Sequence, residues 1–252
     1  MEHVEGRQSV LAALLARQRR IEMVLVTHGA HMEKLQELLD AAAELNIPVK
    51  QVTSRELDAM AHGSTHGGVL AICSAKPRAT AEQLLEIVDR CTKPPLLILI
   101  EGIEDARNLG FVLRSAEALG ADAVLVKKHL WDLDSVEIAR PSSGAYERLP
   151  LAQVEGVEVL QQLQRKGLRI FGCVGGARRT IYDADLAVPA ILAIGGEKRG
   201  LSGAVRAICD VKITIPTGGA ATSLSLSHAA AIVLGEANRQ RRAISQQMDA
   251  QK

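Results

Sequence analysis

Aromatic residues are scarce in this chain, with one Trp, two Tyr and two Phe in 252 residues. That scarcity counts against a sheet of exposed rings of the kind that stacks single-stranded RNA bases, and it makes the core aliphatic. A dominant charge is missing as well. Thirty Lys and Arg stand against 29 Asp and Glu, a formal net of +1, so no basic surface covers the whole molecule. The four cysteines (Cys73, Cys91, Cys173 and Cys209) form no CxxC pair, which argues against a thiolate zinc site and a small disulfide scaffold; they read as core filler. The longest apolar runs, such as Leu96–Ile100, fall far short of the roughly 18 residues of a membrane span. The start, MEHVEGRQ, lacks the apolar segment of a signal peptide. The expectation is a soluble, cytoplasmic protein with no membrane partner. Three common α/β fingerprints are also absent: GxGxxG, GxxxxGK[ST] and GxSxG. Their absence counts against a dinucleotide dehydrogenase, a P-loop enzyme and an α/β hydrolase.

What is present is a globular composition, 47% hydrophobic and 23% charged, long enough for two domains. The first 75 residues read as a small α/β unit. Val10, Leu11, Leu14 and Leu15 give a helical stripe, 21–27 a strand, and Leu35, Leu38, Leu39 and Ala42 a second helix. Short strands at 49–52 and 69–73 flank a capped helix at 54–60. Lys76-Pro77-Arg78 and Lys93-Pro94-Pro95 then interrupt the pattern, so residues 76–94 read as a connection carrying one helix. Beyond it, strands at 96–100, 123–126, 168–174, 190–194 and 211–215 alternate with helices. This predicts a mostly parallel sheet covered on both faces.

Three segments of this second part carry unusual local chemistry, and each follows a predicted strand, where a parallel sheet forms its ligand-binding edge. The first is Glu101-Gly-Ile-Glu-Asp-Ala-Arg-Asn108-Leu-Gly110, leading to Arg114. The second is Gly195-Gly196-Glu197-Lys-Arg-Gly200-Leu-Ser202, and the third runs from Ile215 through Gly218-Gly219 and Ser223-Leu224-Ser225 to Ser227. Each residue also has an ordinary reading: Asn108 as a helix N-cap, Arg114 as a solvated helix residue, Gly195-Gly196 as a plain turn, Glu197 as a surface carboxylate. Their occurrence in order, each after a strand, outweighs those readings. Glycines at 195, 196, 218 and 219 are expected to let backbone approach a ligand and to adopt positive φ.

These segments, NLGFVLRSAEALGA, AIGGEKRGLS and IPTGGAATSLSLSHAAAIVLGEANRQ, resemble the motifs of the SPOUT-class, SpoU/TrmH-type RNA 2′-O-ribose methyltransferases. The stretch from Pro141 to Pro150 resembles that family's serine-glycine-alanine segment, and His66-Gly-Gly-Val69 is a short match to the small substrate-binding domain of the ribosomal-RNA branch. The resemblance implies an RNA substrate-binding domain over 1–75, a linker at 76–94, and an α/β methyltransferase domain over 95–252 whose parallel sheet carries a deep trefoil knot. It implies S-adenosyl-L-methionine as cofactor, RNA as partner (ribosomal RNA favoured over tRNA), no metal, and a homodimer.

By the same resemblance, Gly195, Gly196, Ile215 and Leu224 line the cofactor site, with main-chain groups of Ile215 and Leu224 facing the adenine. Asn108, Arg114, Glu197, Ser223 and Ser225 make up the catalytic set. Arg114 carries the RNA end and its orientation, since a guanidinium suits a phosphate; the resemblance also makes it the base for the 2′-hydroxyl, a role for which a guanidinium is poor on ordinary grounds, and the sequence leaves that open. Asn108 orients the ribose or the methionine end, Glu197 holds the loops by hydrogen bonds, and Ser223 supports the arginine or the nucleotide. Two departures stand out. Ser225 replaces the asparagine of the family's Ser-Leu-Asn pattern, giving one hydroxyl for an amide, and Ala106 stands where proline is common. The Ser225 change leaves open an alternative, a cofactor-binding RNA-interaction protein with weak or lost catalysis; a tRNA 2′-O-methyltransferase is another.

Outside the motifs, His62 and His66 have H-x₃-H spacing, but glycines break any helix between them and no third ligand is apparent. Trp131 and Tyr146 are the candidates for stacking on a base. With the net charge so small, any RNA surface must be local, and the sequence leaves open which arginines build it.

Overall fold

The computed structural model describes residues 1–62, 66–127, 133–220 and 223–249, with the side chains of 127, 248 and 249 left aside. Trp131 lies outside the described residues. In chain order the elements are β1 (Glu2–Glu5), α1 (Arg7–Ala16), β2 (Ile21–Thr27), α2 (Met32–Glu44), β3 (Val49–Val52), α3 (Ser54–Met60), β4 (Val69–Cys73) and α4 (Ala81–Arg90). There follow β5 (Leu96–Ile100), α5 (Ala106–Ala118), β6 (Ala123–Lys127), α6 (Ser135–Ser142), α7 (Ala145–Arg148), β7 (Leu151–Val154) and α8 (Glu158–Arg165). The chain ends with β8 (Arg169–Cys173), β9 (Arg179–Thr180), β10 (Ala190–Ile194), α9 (Gly203–Ile208), β11 (Val211–Thr214) and α10 (Leu226–Asp249).

The chain divides into two compact units, residues 1–77 with 134–148, and residues 78–133 with 149–252. The first is built on a mixed four-stranded sheet of order β1-β4-β2-β3. β2 and β3 run parallel, while β4 pairs antiparallel with β1 and β2. Val24 and Val26 of β2, Val69 and Ala71 of β4, and Leu35 and Leu38 of α2 close one aliphatic core with α1; Leu25, Leu70, Val52 and Leu57 close a smaller one on the opposite face. The alternation of these positions along each strand is what places them on two faces. Thr53 and Glu56 form a capping box at the start of α3, as the Thr-Ser-Arg-Glu pattern predicts.

Helices α6 and α7 of the central stretch belong to this first unit. Arg19, 1% exposed, donates to both carboxylate oxygens of Glu147, also 1% exposed, at 2.7 and 3.0 Å, and to Glu2 at 2.6 Å. Tyr146 lies between Arg19 and Lys76, each under 6 Å from its ring. Burial therefore withdraws Tyr146 from any stacking role. Burial also drives the Lys76 ammonium down to about 8, with Arg19 adding to the fall and Glu147 opposing it. At the other end of β1, the buried Glu5 accepts from Arg140 at 2.8 Å and from the backbone N–H of His62 at 2.7 Å. Burial alone raises the Glu5 carboxyl, but these donors outweigh it and leave it below its ordinary value. His66 donates through Nε2 to Asp58 at 2.7 Å, because its Nδ1 accepts from Gly68 N–H. Both imidazoles thus serve carboxylates, and no metal cluster occurs among the described residues.

The second unit holds a seven-stranded sheet of order β7-β6-β5-β10-β8-β11-β9, every pair parallel. Leu97, Leu99, Ile191, Ala193 and Ile170 face a layer made by α4, α8 and α9, through Leu84, Val88, Leu160, Leu163 and Val205. Helix α10 packs on α5 and β10. The stretch 76–94, read from sequence as a connection, contributes more than that: α4 is amphipathic, and its Leu84 and Val88 enter this core.

Candidate active site at the strand carboxyl ends

Glu101 follows β5 directly. Its carboxylate is buried and accepts from Ser202 twice, from the backbone N–H at 2.8 Å and the hydroxyl at 3.0 Å. Ser202 is itself the N-cap of α9. The loop after β5 is thereby tied to the loop after β10, and the two backbones run in near contact. A Cβ on Gly196 would meet the Gly102 carbonyl oxygen at 2.3 Å, and one on Gly195 would meet the Gly200 carbonyl carbon at 2.0 Å. Gly200 N–H also bonds Gly196 O at 2.8 Å. These glycines allow backbone to pass backbone. The expectation of positive φ at 195, 196, 218 and 219 is not met. Positive φ falls instead at Gly102, in the loop after β5, and at Gly200, four residues beyond Gly196, where the sharp reversals of the two loops come. Gly218 and Gly219 have nothing within 4 Å of a would-be side chain.

Asn108 is not an N-cap either. Asp105 caps α5, its side chain accepting from Arg107 N–H, since this aspartate, three positions before Asn108, satisfies the orphan donor first. Asn108 therefore sits in the first turn, and its Nδ2 donates to Glu197 Oε1 at 3.4 Å. The same oxygen accepts from the backbone N–H of Leu226 at 3.1 Å, the first residue of α10, where a carboxylate complements the helix dipole. Ser225 completes that helix start: its carbonyl accepts from Ala229, and its hydroxyl contacts Ser227 at 3.3 Å and His228 Nδ1. Glu197 is thus the junction of all three motifs.

Two hollows meet at Glu197 and Leu226. One, about 190 Å³, lies at the ends of β8, β10 and β11 and is lined by Ile194, Gly195, Gly196, Ile213, Ile215, Ser223 and Leu224 among others. The second, about 220 Å³, is lined by Gly102–Asp105, Asn108, Glu197 and Lys198. Lys198 pairs with Glu104 at 2.7 Å, which holds the Glu104 carboxyl below its ordinary value. Cys173 also borders the first hollow, but burial, aided by Cys209, pushes its thiol up to about 12, so it is a neutral wall group and no nucleophile.

The structure brings together Asn108, Glu197, Ser223, Ser225, Gly195, Gly196, Ile215 and Leu224. Arg114 stands apart. It is exposed, lines neither hollow, and forms no ion pair among the described residues. Six residues beyond Asn108, it lies about 9 Å further along α5 and roughly 120° around it. Sequence reasoning passed over Glu101 and Ser202 as functional residues, although both stood inside the quoted motifs. The signal was the buried position of a carboxylate immediately after an all-aliphatic strand.

A parallel α/β sheet with a ligand cleft at its carboxyl edge, split by a carboxylate between two hollows, defines a nucleotide- or cofactor-binding enzyme domain. Residues 95–235 match the SpoU rRNA Methylase family, and residues 3–79 match the RNA 2′-O ribose methyltransferase substrate-binding domain. The chain is 35% identical to a 23S rRNA (guanosine-2′-O-)-methyltransferase RlmB of Pseudomonas putida over 96% of this chain and 97% of that one. It is 34% identical to an uncharacterized tRNA/rRNA methyltransferase of Mycobacterium avium, over 96% of this chain and 78% of that one. Among solved structures, the SpoU methyltransferase AviRb from Streptomyces viridochromogenes in complex with AdoMet superposes with a TM-score of 0.78 at 26% identity, covering 96% of this chain and 90% of that one. The chain belongs to the SpoU rRNA methylase family, and it is an RNA methyltransferase.

Proposed function

We infer that this protein transfers a methyl group from S-adenosyl-L-methionine to a ribose 2′-hydroxyl of ribosomal RNA, and that its target is a guanosine of 23S rRNA like that of its relatives. The observation that carries the reading is the junction at Glu197, one carboxylate oxygen serving Asn108 and the start of α10 between two hollows. The hollow at the ends of β8, β10 and β11 suits an adenosine. Ile194, Ile213, Ile215 and Leu224 supply apolar walls, and the strand ends and glycines present backbone groups. When bound, the cofactor supplies an electrophilic methyl on a sulfonium.

The chain's own residues position the acceptor. Asn108, held by Glu197, presents its amide to the second hollow, where the ribose is received. Ser223 borders the cofactor side, and Ser225 fixes the first turn of α10. No metal ligand set occurs among the described residues, and none is called on: alignment of the hydroxyl with the methyl is the main contribution, worth about 7–11 kcal/mol when geometry is held. Arg114, exposed on α5, holds RNA phosphate and orients the strand, as a guanidinium suits a phosphate bidentately. Residues 1–77 act as the substrate-binding part, and residues 78–133 with 149–252 as the catalytic part. The enzyme works in the cytoplasm.

Two finer features belong to the same reading. The near contact of the 102, 195–196 and 200–201 backbones is what a trefoil knot at the cofactor cleft requires. A homodimer is favoured by α5 and α10, which pack together and leave Phe111 50% and Ile232 36% exposed, beside an Arg114 that has no partner in its own chain among the described residues.

The test pairs two measurements. Calorimetry with S-adenosyl-L-methionine and a methyl-transfer assay on ribosomal RNA are run on the wild type and on Arg114→Ala. Transfer by the wild type, lost in the variant with cofactor affinity within about twofold, supports the roles given. Cofactor binding without transfer by the wild type overturns the enzyme reading, and full activity of Arg114→Ala overturns its role.

A further inference from the structure

The near-neutral net charge hides an uneven distribution. Several cations are neutralised within the chain: Arg17 by Glu44, Arg20 by Glu22, Arg90 by Glu86, Lys166 by Asp89, Lys198 by Glu104 and Arg239 by Glu236. One surface of the second unit departs from this. A groove of about 630 Å³ beside β8, β9, β11 and α9 is lined by Arg169, Arg178, Arg179, Arg206 and Lys212. All five are exposed, and none forms an ion pair or side-chain hydrogen bond among the described residues. The single carboxylate there, Asp210, is already engaged, accepting from Ile170 N–H at 2.7 Å and from Gln164 at 3.0 Å. Five cations without an ion pair, against one lining carboxylate already engaged and Asp183 near Arg179, form a focused positive field.

The groove is continuous with the cofactor cleft, since Val174 and Gly175 line both. Its floor is open: nothing lies within 4 Å of a side chain built at Gly175 or Gly176, so a phosphate can approach the backbone. Arg169, whose guanidinium lies 5.7 Å from the Phe171 ring, is held in place at one wall.

We propose that this groove binds the phosphodiester backbone of the substrate RNA, leading a strand along the β11–β9 edge of the catalytic sheet to the methylation site. The proposal rests on the RNA methyltransferase reading and adds a second RNA surface, separate from residues 1–77. It explains how a chain of net +1 with few aromatics holds a polyanion: the contact is to phosphate, which carries no base information, and it is concentrated in one place.

The test is the variant Arg178→Gln/Arg179→Gln/Arg206→Gln/Lys212→Gln, with Arg169 left in place because of its ring contact. A second variant, Arg90→Gln/Lys166→Gln, removes paired cations from elsewhere on the same unit. Binding to a ribosomal RNA fragment is measured from 0.05 to 0.3 M salt, with cofactor affinity and the KM and kcat of transfer. Each phosphate contact contributes about 0.7–0.9 to the log–log salt slope, so the fourfold variant loses about 3 from that slope. Its KM for RNA rises on the order of tenfold or more at 0.15 M salt, while kcat at saturation and cofactor affinity stay within about twofold. The paired-cation variant keeps the wild-type slope.

An unchanged slope and KM in the fourfold variant overturn the groove, as does an equal loss in the paired-cation variant. If the fourfold variant also loses cofactor affinity, the pairs Arg178→Gln/Arg179→Gln and Arg206→Gln/Lys212→Gln are tested in its place, and a slope unchanged in both overturns the groove. A wild type that transfers methyl to no RNA sinks the enzyme reading itself, a result distinct from all of these.

Discussion

Gly195→Ala gives a sharp test of why the glycines stand where they do. The added Cβ would lie 2.0 Å from the Gly200 carbonyl carbon and 2.1 Å from Leu201 N, against about 3.4 Å for ordinary contact. All the offending atoms are backbone, so no side chain can rotate away, and the loop must move by about 1 Å or more. Overpacking of this kind costs about 1–3 kcal/mol, and backbone obstruction puts the cost at the upper end. For a domain of this size that corresponds to a fall in Tm of about 6–12 °C. The moved loop carries the cofactor wall, so cofactor affinity falls as well. Gly218→Ala is the control, because nothing lies within 4 Å of its added methyl, and its Tm without ligand stays within about 1 °C. Differential scanning fluorimetry with and without cofactor reads both effects. A Gly195→Ala protein with wild-type Tm and wild-type cofactor affinity would refute the crossing of backbones described here.

Further outcomes follow from individual groups. Arg19→Met leaves Glu147 buried without its bidentate partner and costs about 3–5 kcal/mol of first-unit stability; Arg19→Met/Glu147→Leu recovers most of it in urea unfolding, and equal losses in both would contradict the pairing. The Lys76 ammonium sits near 8 in the folded chain against an ordinary 10.5, so the unfolded chain holds more protons between those values. Wild type therefore gains stability relative to Lys76→Met as pH rises from 8 to 10.5, by about 3 kcal/mol in full, and a flat difference refutes the burial effect. Glu197→Leu removes the oxygen shared by Asn108 and the Leu226 N–H and, through the lost charge at the start of α10, costs about 1 kcal/mol of stability. Loss of that hold on Asn108 lowers kcat about 100-fold, and unchanged kcat would refute the junction. Glu5 lies below its ordinary 4.5, so its contribution is intact above that value and fades as pH falls through the folded one. Relative to Glu5→Gln, wild type loses stability only on acidification below about pH 4.5, which acid titration followed by circular dichroism measures.

The second unit was legible in the sequence because its central strands are continuous aliphatic runs: Leu96–Ile100 and Ala190–Ile194 are buried at every position, and no other element can use such a run. The elements that escaped were those whose reason lies far along the chain. β1 reads as Glu-His-Val-Glu and forms a strand only because β4 pairs with it. β7, a four-residue strand directly after Pro150, needs β6 beside it. α6 contains Pro141, a helix breaker on local grounds, and with α7 it joins the first unit through Arg140–Glu5 and Arg19–Glu147, pairs separated by more than 120 residues. The same pairs mean that cutting away residues 1–75 would take the Arg19 partner from the buried Glu147 and the Glu5 partner from Arg140, so truncation there damages more than RNA recognition.

At the site, the residue types were readable and their geometry was not. Asn108, Glu197 and Leu226 N–H meet around one oxygen, yet they are separated by 89 and 29 positions, and no local pattern encodes that meeting. The glycines at 195 and 196 were expected to let backbone approach a ligand. What approaches them is the chain itself, at Gly200 and Gly102, which only the folded loops could reveal. Charge showed the same limit: +1 overall gave no hint of the groove at Arg178, Arg179, Arg206 and Lys212, because which cations cluster and which meet a carboxylate is a tertiary property.

The central claim is ribose methylation of ribosomal RNA, and the most direct test is chemical. Ribosomal RNA from cells lacking this protein is incubated with the purified wild type and methyl-labelled S-adenosyl-L-methionine, then hydrolysed in alkali, which spares the linkage 3′ to a 2′-O-methylated ribose. The account predicts label in a single alkali-resistant dinucleotide with a guanosine at its 5′ position, from 23S rRNA, and no such product from RNA of cells that carry the protein. Label on a base, or no transfer to ribosomal RNA at all, would contradict it.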